Sequence, residues 1–349
     1  MSKILPIIVV NYNGLDDTIE CIESIVSSCI NDYIIYLVDN NSGGSDSQIL
    51  TEKYSTHRNI KLILNQENLG FGKAHNKVVI DQFHKLSWDY VALINNDATV
   101  NKDCLKKAIE FADKEKVDVL SMKMLDYDNR DLMDSAGHKI LTNGEILPIG
   151  KDADQGLYSE ANMNIGASGG ACLYSRSCIE QIGFFDPHFF VGYEDAEFGM
   201  RAFVSNYKCM YCPDAIVYHK GGQTIKNVFD SQYAVQTFKN IRYTNYKLLP
   251  WPILIIMAPF KFLRLLLIII ACTITLRWGT ASVLTKAFLG FYATDFSKAM
   301  TARKALRKNN KVKGSLQVIK SMNSTILHDI GNFYSIFVKK KPSAIDQYR

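Results

Sequence analysis

Four side chains able to bind a metal ion or move a proton stand next to apolar segments of this 349-residue chain. Asp97 follows an apolar run and two asparagines, where a carboxylate can hold Mg²⁺ or Mn²⁺ or can cap the next turn. Glu194 and Asp195 open a helical pattern, where they either complement the helix dipole or supply a general base. His219 ends another apolar run, and it is a structural histidine unless the fold brings it to Asp97 as a further metal ligand.

Clusters rich in Asn and Asp follow four predicted strands, at residues 11–13, 39–41, 65–68 and 95–97. The preceding runs are short, apolar and rich in β-branched residues, which is typical of strands buried on both faces. Helical patterns lie between them, so the alternation predicts an α/β fold with a mostly parallel sheet flanked by helices. Ligands of such sheets bind at the carboxyl ends of the strands, and the four clusters together therefore predict a site.

The predicted strands cover residues 4–10, 33–38, 60–64, 90–94 and 117–122, and helical patterns cover 16–28, 71–83, 103–112 and 194–204. Residues 126–160 are polar and weakly periodic, and we expect loops or a β-hairpin that cover the site. The glycines of residues 165–171 predict a close backbone approach, before a short helix over 177–182 and an aromatic loop over 183–193.

The two parts of the chain differ in charge. Residues 1–225 carry 20 Lys and Arg against 31 Asp and Glu, a net charge of −11, whereas residues 226–349 carry 20 against 4, a net charge of +16. The basic part also holds the most apolar stretch, residues 251–276. We therefore expect a catalytic domain over residues 1–225 and a helical, membrane-associating region over residues 226–349. Basic and apolar character together favour an anionic membrane surface as partner, and no nucleic acid.

Lys261 and Arg264 interrupt the apolar stretch, and each would cost about 2.5–3.5 kcal/mol at the centre of a bilayer. We therefore expect helices that lie in the membrane interface, with both cations reaching toward the headgroups. A second amphipathic helix is predicted over residues 283–292. The alternative to membrane contact is that this region forms a packed helical subdomain or a dimer interface. A basic surface is expected from Arg303, Lys304, Arg307, Lys308, Lys311 and Lys313.

The eight cysteines form no disulfide pattern, and the first residues carry no basic region or cleavage site, so we expect a protein of the reducing cytoplasm. Cys209 and Cys212 form a CxxC pair and are interpreted as two strand cysteines rather than as a metal or redox site. The first strand is followed by Asn11-Tyr-Asn-Gly14 instead of GxGxxG, and no Walker loop occurs, which disfavours a dinucleotide-binding fold.

Taken together, these segments resemble the family 2 glycosyltransferases, in particular their bacterial rhamnosyltransferase-like branch. The matching segments cover residues 9–14, 38–42 with Asp46, Asn65 with 68–72 and Asn76, 93–97, 169–170, and 192–195 followed by Arg201 and His219. The ordered set spans about residues 4–225, and it implies a nucleotide-binding α/β domain of the GT-A type fused to an acceptor-binding part.

The resemblance implies a role for each matching position. Tyr12 and Asp39 would bracket the nucleotide base, and Asn68 and the turn at Gly70 would lie near the nucleoside and phosphates. The remaining nucleotide-sugar contacts would come from Asn11, Asn13, Asn76, Asn96 and Gly170. Asp97 would bind Mg²⁺ or Mn²⁺ on the diphosphate together with His219, and Asp195 would be the base beside Glu194. The family's Asp-x-Asp motif reads Asn95-Asn96-Asp97 here, so only its last carboxylate is present.

The implied activity is inverting transfer of rhamnose or a similar hexose from a nucleotide diphosphate-sugar to a hydroxyl of a lipid-linked glycan, as in O-antigen and other cell-surface polysaccharide synthesis. The family favours dTDP-rhamnose over UDP-hexoses and UDP-galactofuranose. The expected location is the cytoplasmic face of the inner membrane, with homo-oligomerisation left open.

Two other functions compete. A sugar-nucleotide nucleotidyltransferase would need a basic, glycine-rich loop after the first strand, and residues 11–14 contain no basic residue. A non-catalytic scaffold of a polysaccharide assembly complex would not need Asp97, Glu194 and Asp195.

Overall fold

The computed structural model describes residues 3–221, 231–309 and 311–325. The chain divides into two compact units, the first made of Met1–His138 and Pro148–Thr224, the second of Lys139–Leu147 and Ile225–Arg349. A nine-residue segment from the middle of the sequence therefore belongs with the C-terminal part of the chain.

The first unit is built on a ten-stranded sheet. Its strands are β1 (Leu5–Asn11), β2 (Tyr33–Asp39), β3 (Ile60–Leu64), β4 (Tyr90–Ile94), β5 (Ala98–Val100), β6 (Val119–Asp126), β7 (Met133–Ser135), β10 (Asn162–Met163), β11 (Ala171–Ser175) and β12 (Cys209–His219). The spatial order is β10-β12-β6-β11-β4-β1-β2-β3, with β5 beside β12 and β7 beside β6.

The helices of the first unit are α1 (Leu15–Val26), α2 (Asp46–Tyr54), α3 (Gly70–Gln82), α4 (Cys104–Glu115), α5 (Arg176–Ile182) and α6 (Glu194–Val204). Strands β3, β2, β1 and β4 are parallel, β6 and β12 are parallel to each other, and β11 runs antiparallel between β4 and β6. Large apolar clusters bury side chains from both faces of the strands, as the apolar runs predict. The predicted α/β fold with a mostly parallel, helix-flanked sheet is confirmed.

The predicted strands and helices match closely, with some differences. Helix α2 and strand β11 were not expected. The segment with Cys209 and Cys212 and the apolar run that ends at His219 form one strand, β12, with an irregularity between Cys212 and Ile216. Cys209 and Cys212 are buried free thiols within β12, which confirms their interpretation as strand cysteines. The predicted close approach is also present, because a Cβ added to Gly166 would lie 2.5 Å from the Cα of Gly199.

The polar stretch before α5 is more ordered than loops. It contributes β7 to the large sheet, and it also contains β8 (His138–Leu141) and β9 (Ile146–Pro148), which join β13 (Met322–Asn323) in a three-stranded sheet. β13 pairs with β8 in parallel, so Met322 lies opposite Ile140.

The rest of the second unit is helical. Its helices are Ser231–Leu248, Trp251–Ile274, Trp278–Gly290, Phe296–Asn309 and Ser315–Ser321, with a π-helical turn over Phe291–Asp295. The guanidinium of Arg303 donates hydrogen bonds to the carbonyls of Tyr246 (2.9 Å) and Leu249 (2.6 Å), which satisfies carbonyl groups at the end of the first of these helices. Lys239 and the buried Asp295 form an ion pair with an N–O distance of 2.7 Å.

One helix within the described residues, Trp251–Ile274, is long and apolar enough to cross a membrane. Length and composition alone do not distinguish a helix that spans a bilayer from one that lies on it.

Candidate active site

Asn11 organises the polar cluster at the carboxyl end of β1. Its fully buried amide donates to Asp39 Oδ1 (2.8 Å), and it accepts from the hydroxyl of Thr18 (2.8 Å) and the backbone of Gly14. The Asn96 amide in turn donates to the Thr18 hydroxyl at 3.1 Å. The ends of β1, β2 and β4 are thus joined by side-chain hydrogen bonds.

A second amide network holds the turn before α3. Asn40 donates to Asn68 Oδ1 (2.8 Å) and accepts from Asn65 (3.0 Å), and the Gly70 amide donates to Asn68 (2.8 Å). Gly70 has φ +72°, and a Cβ there would lie 2.0 Å from the carbonyl oxygen of Phe190. Only glycine therefore fits where the aromatic loop crosses the start of α3.

Of the other residues expected to contact the nucleotide-sugar, some lie beside the strand ends and one does not. Tyr12 is half-buried and Asn13 is exposed, with φ +54°, beside the cluster of Asn11. Gly170 accepts from the Asn95 amide at 2.9 Å, beside the end of β4. Asn76 lies apart from these groups, because its amide exchanges two hydrogen bonds with the backbone of Phe185 (2.7 and 3.0 Å) and so holds the aromatic loop.

Asp97 and His219 meet as the metal interpretation requires. Asp97 is buried after β4, His219 ends β12, and Asp97 Oδ1 lies 3.2 Å from His219 Nε2. On the other side of the ring, His219 Nδ1 donates to Asp134 Oδ2 at 2.9 Å, and Lys151 pairs with the second oxygen of Asp134 at 2.6 Å. Burial alone would lower the pKa of His219, but the two nearby carboxylates, Asp134 and Asp97, outweigh it and raise the pKa to about 9.

This geometry fits a divalent ion. His219 Nε2 is buried and makes no hydrogen bond of good geometry, although a carboxylate oxygen is close. Two ligands about 2.1 Å from one ion and at right angles lie about 3 Å apart, close to the observed separation. Asp134 supplies the outer hydrogen bond that orients a metal-bound imidazole. Within the described residues no group of three or more His, Cys, Asp or Glu side chains forms a ligand set. The protein itself would therefore supply two ligands, Asp97 and His219.

Glu194 and Asp195 begin α6 but differ in environment. Glu194 is buried, its Oε2 has no hydrogen-bond partner, and burial together with the charge of Asp195 raises the pKa of Glu194 to about 8. Asp195 is the more accessible carboxylate, and it accepts backbone hydrogen bonds from Gly169 (2.8 Å) and Ala196 (2.7 Å). The neighbours are therefore a neutral acid and an oriented, partly exposed carboxylate.

A buried ion pair fixes the loop that leads to these carboxylates. Arg201 binds Glu197 through N–O contacts of 2.9 and 3.0 Å and also donates to the carbonyls of Ile182 and Gly183. At the other end of the loop, Tyr193 adopts φ +79°, an unusual conformation for a side-chain-bearing residue. Such strain persists only where the surroundings hold it, and here it sets the start of α6.

Two site residues were not predicted from the sequence, Asp134 and His138. The Nε2 of the buried His138 lies 4.0 Å from Asp195 Oδ2, and its Nδ1 has no hydrogen-bond partner. Burial lowers the pKa of His138, with Asp195 opposing, so the ring is neutral beside the carboxylate. Both residues lie in the weakly periodic stretch, and no pattern of residue types there distinguishes them from loop residues.

The sheet order, the polar strand ends and the carboxylates opening α6 define the GT-A class of nucleotide-sugar-binding folds. The crystal structure of GalNAc-T7 with UDP, GalNAc and Mn²⁺ shares this fold, with a TM-score of 0.65 at 13% identity over 95% of this chain and 58% of that one. The family model of glycosyl transferase family 2 matches residues 7–183, slightly more than half of the chain. The chain belongs to glycosyl transferase family 2.

Two curated relatives carry glycosyltransferase names. The low-salt glycan biosynthesis hexosyltransferase Agl10 of Haloferax volcanii is 26% identical over 235 residues, 66% of this chain and 71% of the relative. The bifunctional glycosyltransferase pgtA of Dictyostelium discoideum is 27% identical over 143 residues, 38% of this chain, and the match spans only 18% of that relative's length. Asp195 and His219 both lie beyond the segment that the family model matches.

The raised pKa of Glu194 predicts a pH-dependent cost to folding. A carboxyl group whose pKa is about 4.5 when unfolded and about 8 when folded destabilises the fold increasingly as pH rises between these values, because the unfolded state ionises first. We expect Glu194→Gln to raise the melting temperature more at pH 8 than at pH 5. Differential scanning fluorimetry at both pH values measures this, with the exposed Glu160→Gln as control. An equal shift at both values would contradict it.

Proposed function

We propose that the chain is a metal-dependent, inverting glycosyltransferase that moves rhamnose or a similar hexose from a nucleotide diphosphate-sugar to a hydroxyl of a lipid-linked glycan in cell-surface polysaccharide synthesis. The pairing of Asp97 with His219 at the carboxyl edge of the sheet carries this proposal. Membership of glycosyl transferase family 2 and the hexosyltransferase name of one relative support it.

Asp97 and His219 would hold Mg²⁺ or Mn²⁺, and a bound diphosphate and water would complete the ligand set. The ion would supply positive charge against the leaving diphosphate. Asp134 would keep the ring of His219 oriented with Nε2 toward the ion. The Mn²⁺ named with UDP in the GalNAc-T7 structure makes a divalent ion with a nucleotide the natural first choice for a binding test.

Asp195 would accept the proton of the acceptor hydroxyl as that oxygen attacks the anomeric carbon. Its two backbone hydrogen bonds hold the carboxylate in place, and the pKa shifts of His138 and Glu194 favour their neutral forms, so neither places a positive charge beside it. Glu194 is buried, which leaves one accessible carboxylate in the pair. A single carboxylate acting as base corresponds to one displacement with inversion.

The strand-end clusters would take the nucleotide part of the donor. Tyr12 and Asp39 would flank the base, Asn68 and Gly70 would lie near the nucleoside and phosphates, and Gly170 would line the sugar side. The side chains of Asn11 and Asn96 both hydrogen-bond to the hydroxyl of Thr18, so they would shape this pocket rather than contact the base. The rhamnosyltransferase-like resemblance favours dTDP-rhamnose as the donor.

The C-terminal region would bring the enzyme to its acceptor, as a peripheral protein of the cytoplasmic face of the inner membrane. Residues 1–225 would be the catalytic domain and residues 226–349 the membrane-associating region. The latter combines a net charge of +16 with exposed apolar side chains on the helix Trp251–Ile274. Anionic lipid attracts the charge and the acyl region accepts the apolar surface.

Asp97→Ala tests the metal–diphosphate role. Loss of the carboxylate should reduce transfer by about 10²–10³-fold or more and abolish Mn²⁺-dependent nucleotide binding, since one preorganised electrostatic contact alone contributes on that scale. Calorimetry with UDP and dTDP, with and without Mn²⁺, and turnover of a panel of sugar nucleotides measure both effects. Asp131→Ala, a change at an exposed loop carboxylate, is the control. Wild-type binding and turnover in Asp97→Ala would refute the assignment.

Asp195→Asn tests the base. It retains the shape of the side chain and removes the proton acceptor, so turnover should fall by about 10²–10⁴-fold while donor binding persists. The comparison is Glu194→Gln, which keeps the neutral form of a buried group and should retain most activity. An inactive Glu194→Gln beside an active Asp195→Asn would assign the base to Glu194. Formation of a nucleotide-sugar from a nucleoside triphosphate and a sugar 1-phosphate, with release of pyrophosphate, would favour the nucleotidyltransferase.

Salt and detergent separate the two contributions to membrane binding. Charge attraction is screened over a Debye length of about 8 Å at physiological ionic strength, whereas apolar insertion is not. High salt should therefore release the membrane-bound protein only partly, and detergent should release it fully, as measured by sedimentation of native membranes. A full-length protein that stays soluble and ignores anionic vesicles would favour a packed helical subdomain instead.

A further inference from the structure

The helix Trp251–Ile274 has two chemically different faces. Its exposed side chains between residues 255 and 274 are large and apolar: Ile255, Ile256, Phe260, Phe262, Leu263, Leu266, Leu267, Ile270 and Ile274. Its buried residues Ile253, Met257 and Cys272 form a stripe at helical spacing on the other side.

Lys261 and Arg264 lie on the packed stripe, not on the apolar face. Lys261 is four residues after Met257, and Arg264 is three residues further along, so both share the side of Met257 and Cys272. Both side chains are partly buried. The expected reach of both cations toward headgroups stays a prediction, and the structure places both on the face opposite the exposed apolar side chains.

A third cation comes from the preceding helix. Arg242 lies with its guanidinium 5.4 Å from the centre of the Phe288 ring and donates to the carbonyl of Phe238 at 3.2 Å. The charged groups that act on Lys261 are Arg242, Arg264 and one carboxylate, Glu145. Arg264 forms an ion pair with Glu145 at 3.1 Å. Among the described residues, three cations therefore lie near one acid, Glu145.

Lys261 is the unsatisfied member of this group. In the part of the chain that the structure describes, no hydrogen bond or ion pair reaches its ammonium. Burial, together with the charges of Arg242 and Arg264 and against that of Glu145, lowers the pKa of Lys261 to about 8. A partly buried cation without a partner is costly, and such groups normally occur paired with an anion.

We propose that Arg242, Lys261 and Arg264 form a binding site for a phosphate group carried by a lipid. The inference rests on the proposed membrane association. When an interfacial helix buries its apolar face at the acyl boundary, its opposite face lies at the depth of the phosphate groups. Lys261 and Arg264 occupy that opposite face, and the excess of two positive charges suits a phosphate or diphosphate.

Two lipids carry this chemistry at that depth. One is the diphosphate of a lipid-linked glycan, the proposed acceptor, and the other is the headgroup of an anionic phospholipid. Both would use the same ammonium and guanidinium donors, and vesicles of different composition separate them.

The experiment measures flotation of the full-length protein with three kinds of vesicle at matched lipid concentration. These are phosphatidylcholine alone, phosphatidylcholine with phosphatidylglycerol, and phosphatidylcholine with a polyprenyl diphosphate at the same added negative charge. The variants are Lys261→Met and Arg242→Gln. The matched control is Lys286→Met, which removes one exposed cation from a neighbouring helix of the same unit.

Each cluster variant should bind phosphate-bearing vesicles about tenfold more weakly than wild type, as expected for one charge-assisted hydrogen bond, and Lys286→Met should stay within about twofold. A loss confined to polyprenyl diphosphate assigns the site to the acceptor, and a loss with phosphatidylglycerol assigns it to the membrane headgroup. Unchanged binding of both cluster variants, or an equal loss in Lys286→Met, overturns the proposal.

Thermal unfolding without lipid gives a second, independent readout. An unpaired, partly buried cation destabilises the apo protein, so Lys261→Met should melt at the same temperature as wild type or higher. A lower melting temperature would mean that the ammonium supports the fold, which overturns the proposal. Because neither measurement uses a sugar donor, failure of glycosyl transfer in the turnover assay leaves this result interpretable by itself.

Discussion

The chain of contacts from Asp134 through His219 to Asp97 is the interaction on which the site depends. It ties the turn after β4 to the end of β12 and to β7, three strands that are distant in sequence. Two carboxylates flank one imidazole, so each ring nitrogen faces an acceptor and only one of them has a well-formed hydrogen bond. The two carboxylates stabilise positive charge between them, which is why the pKa of His219 is raised to about 9.

The central sheet was predictable because its strands are buried on both faces. Short, continuous apolar runs such as residues 33–38 and 90–94 are typical of such strands, and the polar residues that follow them mark the edge where ligands bind. Strand β11 escaped prediction because its run, Ala171–Ser175, is short, lacks β-branched residues and directly follows a glycine-rich turn. It is nonetheless buried throughout, since it fills the gap between β4 and β6.

The site was predictable only in part. From spacing alone, Asp97, Asp195 and His219 could each have had a purely structural role. The family resemblance predicted that Asp97 and His219 lie together. Asp134 and His138 belong to a polar stretch whose strands are three or four residues long, too short to show a period. Their roles come from long-range pairing, and a single sequence does not encode that pairing in any local pattern. The two faces of the helix Trp251–Ile274 were likewise not predicted from the sequence, because the mean hydropathy of a segment averages over the side chains of both faces.

The segment Lys139–Leu147 gives the second unit a discontinuous sequence. Every strand of the large sheet has been synthesised by residue 219, whereas β8 must wait for its neighbour β13 at residues 322 and 323. A hydroxyl–hydroxyl contact between Thr142 and Thr325 closes the same long loop, at 2.9 Å. On the ribosome, the first unit can therefore mature early while the β8–β9 pair still lacks its third strand. The closing contact with β13 is long-range in sequence, and such contacts form slowly. The same pairing constrains recombination between relatives. If the C-terminal half of one relative replaced that of another, its β13 would have to pair with a β8 from a different protein.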